Sequence, residues 1–489
     1  MALCPLCVPL RVALPSPPAS SLTDGPDPMS NLVHVASPTV TFLLATVVTD
    51  PSFESAAASS LVAELVDFAA ACRLDYAASL VAKSESECPP SVGGECALGT
   101  DVLEDRVKRP PGSPPAFKAR YVARGFNQRQ GVDFFQTFSP TPKMTTLRVL
   151  LHVAAQRYYE LRSLDFSSTF LQGSLHEEIW LRRPPGFTGS FPAGTQWSLR
   201  QPVYGLPQAP REWHNTLRTM LAALGFAPSN ADPSLFLRTD TSLLPFYVFV
   251  YVDNLLFATA NTEALALVIL ELQKRHTCTD LGELHSYLGL QITQDRARHT
   301  ITLTHSHMVH QVLQRFGFRY SLPQSTPLPT DHSLSAPPSD ESRHRPEQWE
   351  AAKRVLRYLC STLGMGLMLG GRGPVVLTGH ADASWVDELA TQWSSQGYIF
   401  SLGSGSVSWW STRSSSVLSS SCEAEIYVGA MAAQELRWLT YLLTDSGERP
   451  CSPPVLYVDN KAMIALCEEH RLEHRTKHIA LRYFLALEL

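Results

Sequence analysis

The stretch that most constrains this chain is Phe246-Tyr247-Val248-Phe249-Val250-Tyr251-Val252, followed by Asp253-Asn254 and then Leu255-Leu256-Phe257. A short run of β-branched and aromatic residues favours strand over helix, and a polar pair between two such runs is a hairpin signal. A hairpin this apolar has to lie inside a sheet, so Asp253 is held at a rigid position. Asp165 is placed in a similar way, near the end of the strand-like Leu161-Arg162-Ser163-Leu164-Asp165-Phe166. Either aspartate alone reads equally well as a strand-end or turn residue, because Asp-Asn is a good turn pair. Converging, the two carboxylates suit two-metal nucleotidyl transfer, for which hard oxygen ligands favour Mg²⁺.

With 489 residues and 44% apolar composition, the chain can bury more than one core. A formal charge of −5 excludes a globally basic nucleic-acid binder, so any such contact must be local. Arg106, Lys108, Arg109, Lys118, Arg120, Arg124 and Arg129 supply a local basic run with no acid before Asp133. That run suits phosphate contact, or is a solvated charged face. Ten scattered cysteines argue against a secreted disulfide framework and for reduced thiols inside a cell. Cys4 and Cys7 form a CxxC with no second half-site, so no zinc is expected there. Apolar runs near the start are broken by Pro5, Pro9, Pro15 and Pro17, which leaves neither a membrane span nor a clean signal peptide and predicts a soluble chain.

Residues 1–105 read as a low-complexity, partly helical region, with 84–105 loop-like around Pro89-Pro90 and Gly93-Gly94. From Pro142 to Phe318 helical and strand patterns alternate, as in an α+β or α/β domain. Ser321 to Pro346 reads as a Pro/Ser-rich linker. Trp349, Ala352, Val355, Leu356 and Leu359 then recur at helical spacing, and Val375 opens a second strand-and-helix domain.

That last region carries its own acids. Asp382 lies in Thr378-Gly379-His380-Ala381-Asp382-Ala383-Ser384-Trp385, Glu423 and Glu425 open a helix after Ser419-Ser420-Ser421-Cys422, and Asp459 follows Val455-Leu456-Tyr457-Val458. Acids at a strand end, a helix start and a second strand end can converge on a metal pair. His470, His474 and His478 recur every four residues; without Cys or carboxylate partners they read as a solvated or nucleic-acid-facing helix side rather than a zinc site.

Several blocks follow one another in the order found in copia-type retrotransposon Pol polyproteins: Lys118 to Phe126, Gln136 to Pro140, Leu164-Asp165-Phe166, Phe170-Leu171-Gln172-Gly173, Pro184-Pro185-Gly186-Phe187, Tyr204 to Trp213, Tyr251-Val252-Asp253-Asn254 and Asp280 to Leu284. The later blocks, with Gly397-Tyr398, Ser408-Trp409 and Arg475 to Ile479, resemble the ribonuclease H domain of the same group. The resemblance implies an α+β chain: reverse transcriptase fingers and palm over 106–320, a linker with a truncated thumb and connection over 321–374, and a ribonuclease H-like α/β domain over 375–489, shortened at its end. By the same resemblance, Asp165 and Asp253 are polymerase metal ligands, and Asp382, Glu425 and Asp459 are the hydrolytic carboxylates, each site taking two Mg²⁺ with Mn²⁺ as a substitute. Glu425 is preferred to Glu423 because it follows Ala424 in the family's Ala-Glu pattern.

The resemblance further assigns Phe170 as the aromatic gate beneath the incoming sugar, and Tyr204, Gly205, Gln208 and Pro210 to nucleotide and template. Lys118, Arg120 and Arg124 go to phosphates, and Tyr287, Leu288 and Gly289 to the primer grip. The implied partners are an RNA template, a DNA primer or RNA–DNA hybrid, and dNTPs, with no membrane; the implied setting is intracellular, in cytoplasmic virus-like particles and the nucleus. One departure matters most: the family has Tyr-Val-Asp-Asp where this chain has Asn254, so polymerase activity is expected to be impaired. The family pattern also has a longer segment before Val107, more residues ahead of the Trp349 helix, and a continuation past Leu489 to a fourth aspartate. The alternatives are a catalytically inactive nucleic-acid-binding remnant of a decayed element and a product that does not fold.

Overall fold

A computed structural model of the protein describes residues 8–11, 100–108, 116–182, 196–238, 245–329, 346–388, 393–414, 417–418, 420–461 and 464. Cys4 and Cys7, the block Pro184 to Phe187, and His470, His474 and His478 lie outside the described residues. Two units emerge, discontinuous in sequence. One holds the described residues of Tyr76–Lys143 and Tyr159–Leu284, the other those of Met1–Asp75, Met144–Tyr158 and His285–Leu489.

In the first unit the apolar run forms the expected hairpin, Phe246–Tyr251 with Asn254–Thr259, and all of the second strand is buried. It sits inside a six-stranded antiparallel sheet, in the order Cys278–Glu283, Glu160–Phe166, Asn254–Thr259, Phe246–Tyr251, Leu235–Arg238, Ala227–Pro228. Two helices bury one stripe each in the core that includes this sheet. Ala209–Ala223 contributes Trp213, Leu217 and Leu221; Thr262–Arg275 contributes Leu265, Val268, Ile269 and Leu272. They pack with Phe166, Phe246, Val248, Leu255 and Phe257, each such side chain contributing about 1.5–3 kcal/mol when fully buried. The Thr262–Arg275 helix starts where Asn261 Oδ1 accepts the Ala264 N–H at 2.9 Å, and ends on Lys274 and Arg275 opposite its dipole.

A separate two-stranded pair, Thr100–Lys108 with Ala116–Ala123, replaces the loop expected up to Asp105. Pairing from Thr100↔Ala123 to Asp105↔Lys118 gives Val102 and Leu103 a strand partner, which nearby Gly93-Gly94 had obscured. At its end, the Ala123 N–H bonds the Tyr204 carbonyl at 2.8 Å and the backbone crosses at Gly125 and Gly205. A Cβ on Gly125 would lie 2.0 Å from the Gly205 oxygen, and one on Gly205, where φ is +90°, would lie 2.0 Å from the Ala123 oxygen. Only two glycines allow this approach.

The second unit contains two sheets. A four-stranded antiparallel one runs Ser286–Tyr287, Leu290–Asp295, Thr300–Thr304, Leu367–Gly370. Its last strand comes from the stretch read as linker and connection, yet it pairs fully with Thr300–Thr304. The helix Met144–Gln156 packs on it, and buried His152 accepts the Gly370 N–H on Nδ1 at 3.0 Å. Burial lowers the His152 pKa to about 4, so the ring is neutral. The start of the expected linker is strapped to the helix Pro346–Ser361: the Gln324 N–H bonds the Arg357 oxygen at 3.3 Å, and the Ser361 hydroxyl donates to the Gln324 oxygen at 2.6 Å.

The five-stranded sheet is ordered Val8–Arg11, Val455–Val458, Leu377–Glu388, Trp393–Leu402, Gly405–Arg413. The last three strands form an antiparallel meander, and Val455–Val458 lies parallel to Leu377–Glu388. A parallel pair needs a long crossover, and the 25-residue helix Ser421–Asp445 is part of it. Ala424, Val428, Ala432, Leu436 and Leu439 form its buried stripe. No helix among the described residues is long and apolar enough to cross a membrane. Cys278, Cys360, Cys422 and Cys451 are free thiols.

Candidate active sites

In the first unit Asp165 and Asp253 meet because of strand register. Glu160–Phe166 pairs with Asn254–Thr259 so that Asp165 lies directly opposite Asn254. Directly opposed Cα atoms lie ~4.5–5.5 Å apart and consecutive ones 3.8 Å, so the Asp165 and Asp253 Cα atoms are within about 9 Å. The turn residues are Val252 and Asp253, and Asn254 is already the first residue of the returning strand. The positive φ of the turn, 55°, thus falls on Val252, a β-branched residue that disfavours it, rather than on Asn254.

Two hydrogen bonds hold this turn. The Trp213 indole N–H donates to the Val252 oxygen at 2.6 Å, and the Phe166 N–H donates to the Asp253 oxygen at 2.9 Å. Phe166 and Trp213 pack edge to face, with centroids 5.1 Å apart. The loop after Asp165 is tied down by Gln172, whose amide donates to the Ser167 oxygen at 2.6 Å and the Thr277 oxygen at 3.1 Å. Asp253 and Asn254 are buried, Asp165 half-buried. Asn254 turns its amide onto its neighbour, Nδ2 donating to Asp253 Oδ1 at 3.0 Å. A carboxylate here would add negative charge; the amide instead engages one oxygen of Asp253. Burial, reinforced by Asp253, pushes the Tyr251 phenol up.

Around this centre, Phe170 is partly buried on a short 3₁₀ turn, its ring centroid 4.5 Å from that of Tyr204. Gln208 is fully buried, with both amide atoms lacking a hydrogen-bond partner, and Pro210 lies in the first turn of the helix that Gln208 precedes. Arg124 is exposed at the end of the Ala116–Ala123 strand. Lys118 and Arg120 sit on that strand, at Asp105↔Lys118 and Leu103↔Arg120, and their side chains lie outside the description. Tyr287, Leu288 and Gly289 belong to the second unit. There Leu288 (φ 50°) and Gly289 (φ 78°) form a two-residue turn with the dihedral signs of type I′, and Tyr287 is buried.

The second acidic group is tighter. Asp382, Glu425 and Asp459 each offer an oxygen within 4.8 Å of the others, the one such group of three or more ligand side chains among the described residues. Parallel pairing of Thr378↔Val455 through His380↔Tyr457 brings Asp382 and Asp459 alongside each other two residues further on. His380 and Tyr457 stack at 4.9 Å just before them. Glu425 comes from the first turns of the long helix, where Ser420 Oγ accepts the Glu423 N–H at 3.1 Å. Ser420-x-x-Glu423 has the spacing of a capping box, a signal legible in the sequence that gives Glu423 a structural place and leaves Glu425 for the acidic group.

Glu425 is 4% exposed; its Oε1 accepts the Ala383 N–H at 3.2 Å, and its Oε2 is buried with no partner. Burial, helped by Asp459 and Asp382 and opposed by the Ala383 hydrogen bond, pushes its pKa up to about 8. Burial and then Asp459 raise Asp382 as well. An orphaned carboxylate oxygen facing like charges is the environment that a divalent cation relieves.

Residues 108–330 match the family described as reverse transcriptase (RNA-dependent DNA polymerase). The chain is 34% identical over 431 residues to the Retrovirus-related Pol polyprotein from transposon RE2 of Arabidopsis thaliana, and 32% identical over 431 residues to that from transposon RE1. Each alignment covers 81% of this chain and 29% of the relative. The polyprotein from transposon TNT 1-94 of Nicotiana tabacum is 30% identical over 415 residues, 76% of this chain and 31% of its own length. The chain thus spans under a third of these curated relatives. Residues 108–330 are thus a reverse transcriptase domain, and over most of its length the chain is similar, at 30–34% identity, to copia-type retrotransposon Pol polyproteins.

Proposed function

We propose that the chain carries two phosphoryl-transfer centres: an RNA-directed DNA polymerase site at Asp165 and Asp253, weakened by Asn254, and a ribonuclease H site at Asp382, Glu425 and Asp459. The first unit's six-stranded sheet would be the palm, with the Thr100–Lys108 and Ala116–Ala123 strands in the fingers. The meander, parallel strand and long helix of the second unit support a ribonuclease H-like domain from residue 375 onward, joined to the polymerase region 106–320 through 321–374. An RNA template, a DNA primer, dNTPs and the resulting hybrid would be its partners, inside the cell.

The observation that carries this reading is the Asp165↔Asn254 register, which sets two acids of distant sequence at one hairpin turn. Asp165 and Asp253 would hold Mg²⁺ in the first site, and Asp382, Glu425 and Asp459 in the second, where the unpartnered Glu425 Oε2 is a ready ligand. Bound magnesium, or manganese in its place, would supply positive charge against the pentavalent phosphate and lower the pKa of the attacking hydroxyl or water. The chain's own part is to hold the acids rigid: Trp213 and the Phe166 N–H fix the turn, and the Ala383 N–H orients Glu425. Phe170 against Tyr204 would shape the sugar pocket. Lys118, Arg120 and Arg124 would bind triphosphate or template phosphates, Gln208, Gly205 and Pro210 would line the nucleotide, and Tyr287 to Gly289 would grip the primer.

Primer extension on RNA and cleavage of an RNA–DNA hybrid by the purified chain test the reading. Asp165→Asn in an Asn254→Asp background should abolish extension and spare cleavage, and Asp382→Asn should do the reverse. Extension indifferent to Asp165→Asn would refute it. A second reading, binding without turnover, is favoured by the amide of Asn254 on Asp253; primer–template binding with neither activity in Mg²⁺ or Mn²⁺ would select it.

A further inference from the structure

The three acids of the second centre are held by unequal means. Glu425 is tied to the strand of Asp382, because its Oε1 accepts the Ala383 N–H at 3.2 Å. Asp382 lies within its own strand, paired across to Gly397. Asp459 has neither support. Its strand is Val455–Val458, and the parallel ladder to Leu377–Glu388 ends at His380↔Tyr457, so Asp459 lies two residues beyond the last backbone pair. Among the described residues no hydrogen bond joins its carboxylate to Asp382 or Glu425.

The contact beside that gap is aromatic. Residues two apart on a strand share a face, so His380 stands next to Asp382 and Tyr457 next to Asp459, while Ala381, Leu456 and Val458 are buried on the opposite face. His380 and Tyr457 are the last cross-strand pair, and their half-buried rings stack with centroids 4.9 Å apart and planes 15° apart. Neighbouring strands lie about 4.7–4.9 Å apart. Two flat rings in contact therefore match the strand spacing, and they oppose spreading or twisting of the strands where the ladder stops.

A cation demands more of this spacing than folding does. Asp382, Glu425 and Asp459 already bring oxygens within 4.8 Å of one another, and ionised carboxylates that close repel. Mg²⁺ requires its ligands at about 2.0–2.1 Å in near-octahedral geometry, so small changes in strand separation alter its affinity. We propose that His380 and Tyr457 are positioning residues of the second centre: their stack sets the distance between Asp382 and Asp459, and through it the affinity for the divalent cation. The proposal rests on reading this acidic group as a ribonuclease H metal site.

Calorimetric titration of the full chain with Mg²⁺, in an Asp165→Asn background that removes an acid of the first centre, tests this together with the Mg²⁺ dependence of hybrid cleavage. His380→Ala and Tyr457→Ala should each raise the dissociation constant and the half-saturating Mg²⁺ concentration by about 2- to 12-fold, the range for one aromatic pair. The cleavage kcat at saturating Mg²⁺ should change far less. The double Ala variant should be no weaker than the weaker single one, because both remove the same contact. His380→Phe keeps the stack and should bind Mg²⁺ like the parent. Leu402→Val, in the buried part of the same sheet, should lower Tm and leave Mg²⁺ affinity unchanged. Parental Mg²⁺ affinity in His380→Ala, a His380→Phe variant as weak as His380→Ala, or a Leu402→Val variant that loses Mg²⁺ affinity to the same extent would overturn the proposal. A parent that binds Mg²⁺ with this dependence but cleaves no hybrid would uphold the stack's role and refute the ribonuclease reading. A parent that binds no Mg²⁺ would refute both.

Discussion

The two acidic sites are built by similar means and end in opposite electrostatic states. In the second unit three carboxylates lie within 4.8 Å and one of them, Glu425, is buried with an oxygen unpartnered, so the group is short of positive charge. In the first, the position opposite Asp165 holds Asn254, whose amide already hydrogen-bonds Asp253. Backbone geometry thus preserves a site independently of its charge: a register keeps two side chains together whether or not both are acids. Cation affinity depends on the charge, so the two sites should respond differently to the same perturbations.

The largest expected contrast is at Glu425. Glu425→Gln should lower hybrid cleavage by about 10²–10³-fold or more, the scale on which losing one charge-stabilising group acts, and leave primer extension unchanged. Equal loss of both activities would show that the sites are not independent.

Magnesium and pH should sharpen the contrast. The Glu425 pKa, raised to about 8 from an ordinary 4.5, makes the metal-free fold lose stability as pH rises from about 4.5 to about 8, since only the folded form holds that proton there. Asp382, also raised, adds in the same direction. Divalent cation binds the ionised form, so Mg²⁺ at about 100 times its dissociation constant should add about 2.7 kcal/mol, with a larger rise in Tm at pH 8 than at pH 5. EDTA should reverse it, and Glu425→Gln should flatten the pH dependence. A Mg²⁺ shift that survives Glu425→Gln at full size would assign it elsewhere.

The smallest effect concerns the turn itself. Trp213→Phe keeps the ring against Phe166 and removes the donor to the Val252 oxygen, which should cost about 1–3 kcal/mol in urea unfolding. Cleavage by the second unit should not change.

How far these features were legible follows from where their signals lie. The Phe246 to Phe257 hairpin, Asp165 and Asp459 at strand ends and the Ser420-x-x-Glu423 cap are local patterns, and local patterns survive in sequence; Asp382, expected at a strand end, lies inside Leu377–Glu388, whose pairing with Trp393–Leu402 carries the strand past it. The turn was misplaced by one residue, because Asp253-Asn254 looks like the turn pair. In the fold, the pairing with Glu160–Phe166 sets Asn254 opposite Asp165 and assigns the turn to Val252-Asp253 despite the strain on valine. Pairing of Leu367–Gly370 with Thr300–Thr304 and the docking of Met144–Gln156 on that sheet depend on partners far apart in the chain, which periodicity cannot report. The Trp213 clamp was hidden for the same reason.

The claim that geometry has outlasted charge in the proposed polymerase site is tested most directly by placing an acid at position 254. Parent and Asn254→Asp proteins, matched by their hybrid-cleavage rate as an internal standard, are compared in primer extension on an RNA template in Mg²⁺. The account predicts unchanged cleavage and extension raised by about 10²-fold or more; equal, robust extension by both proteins would contradict it.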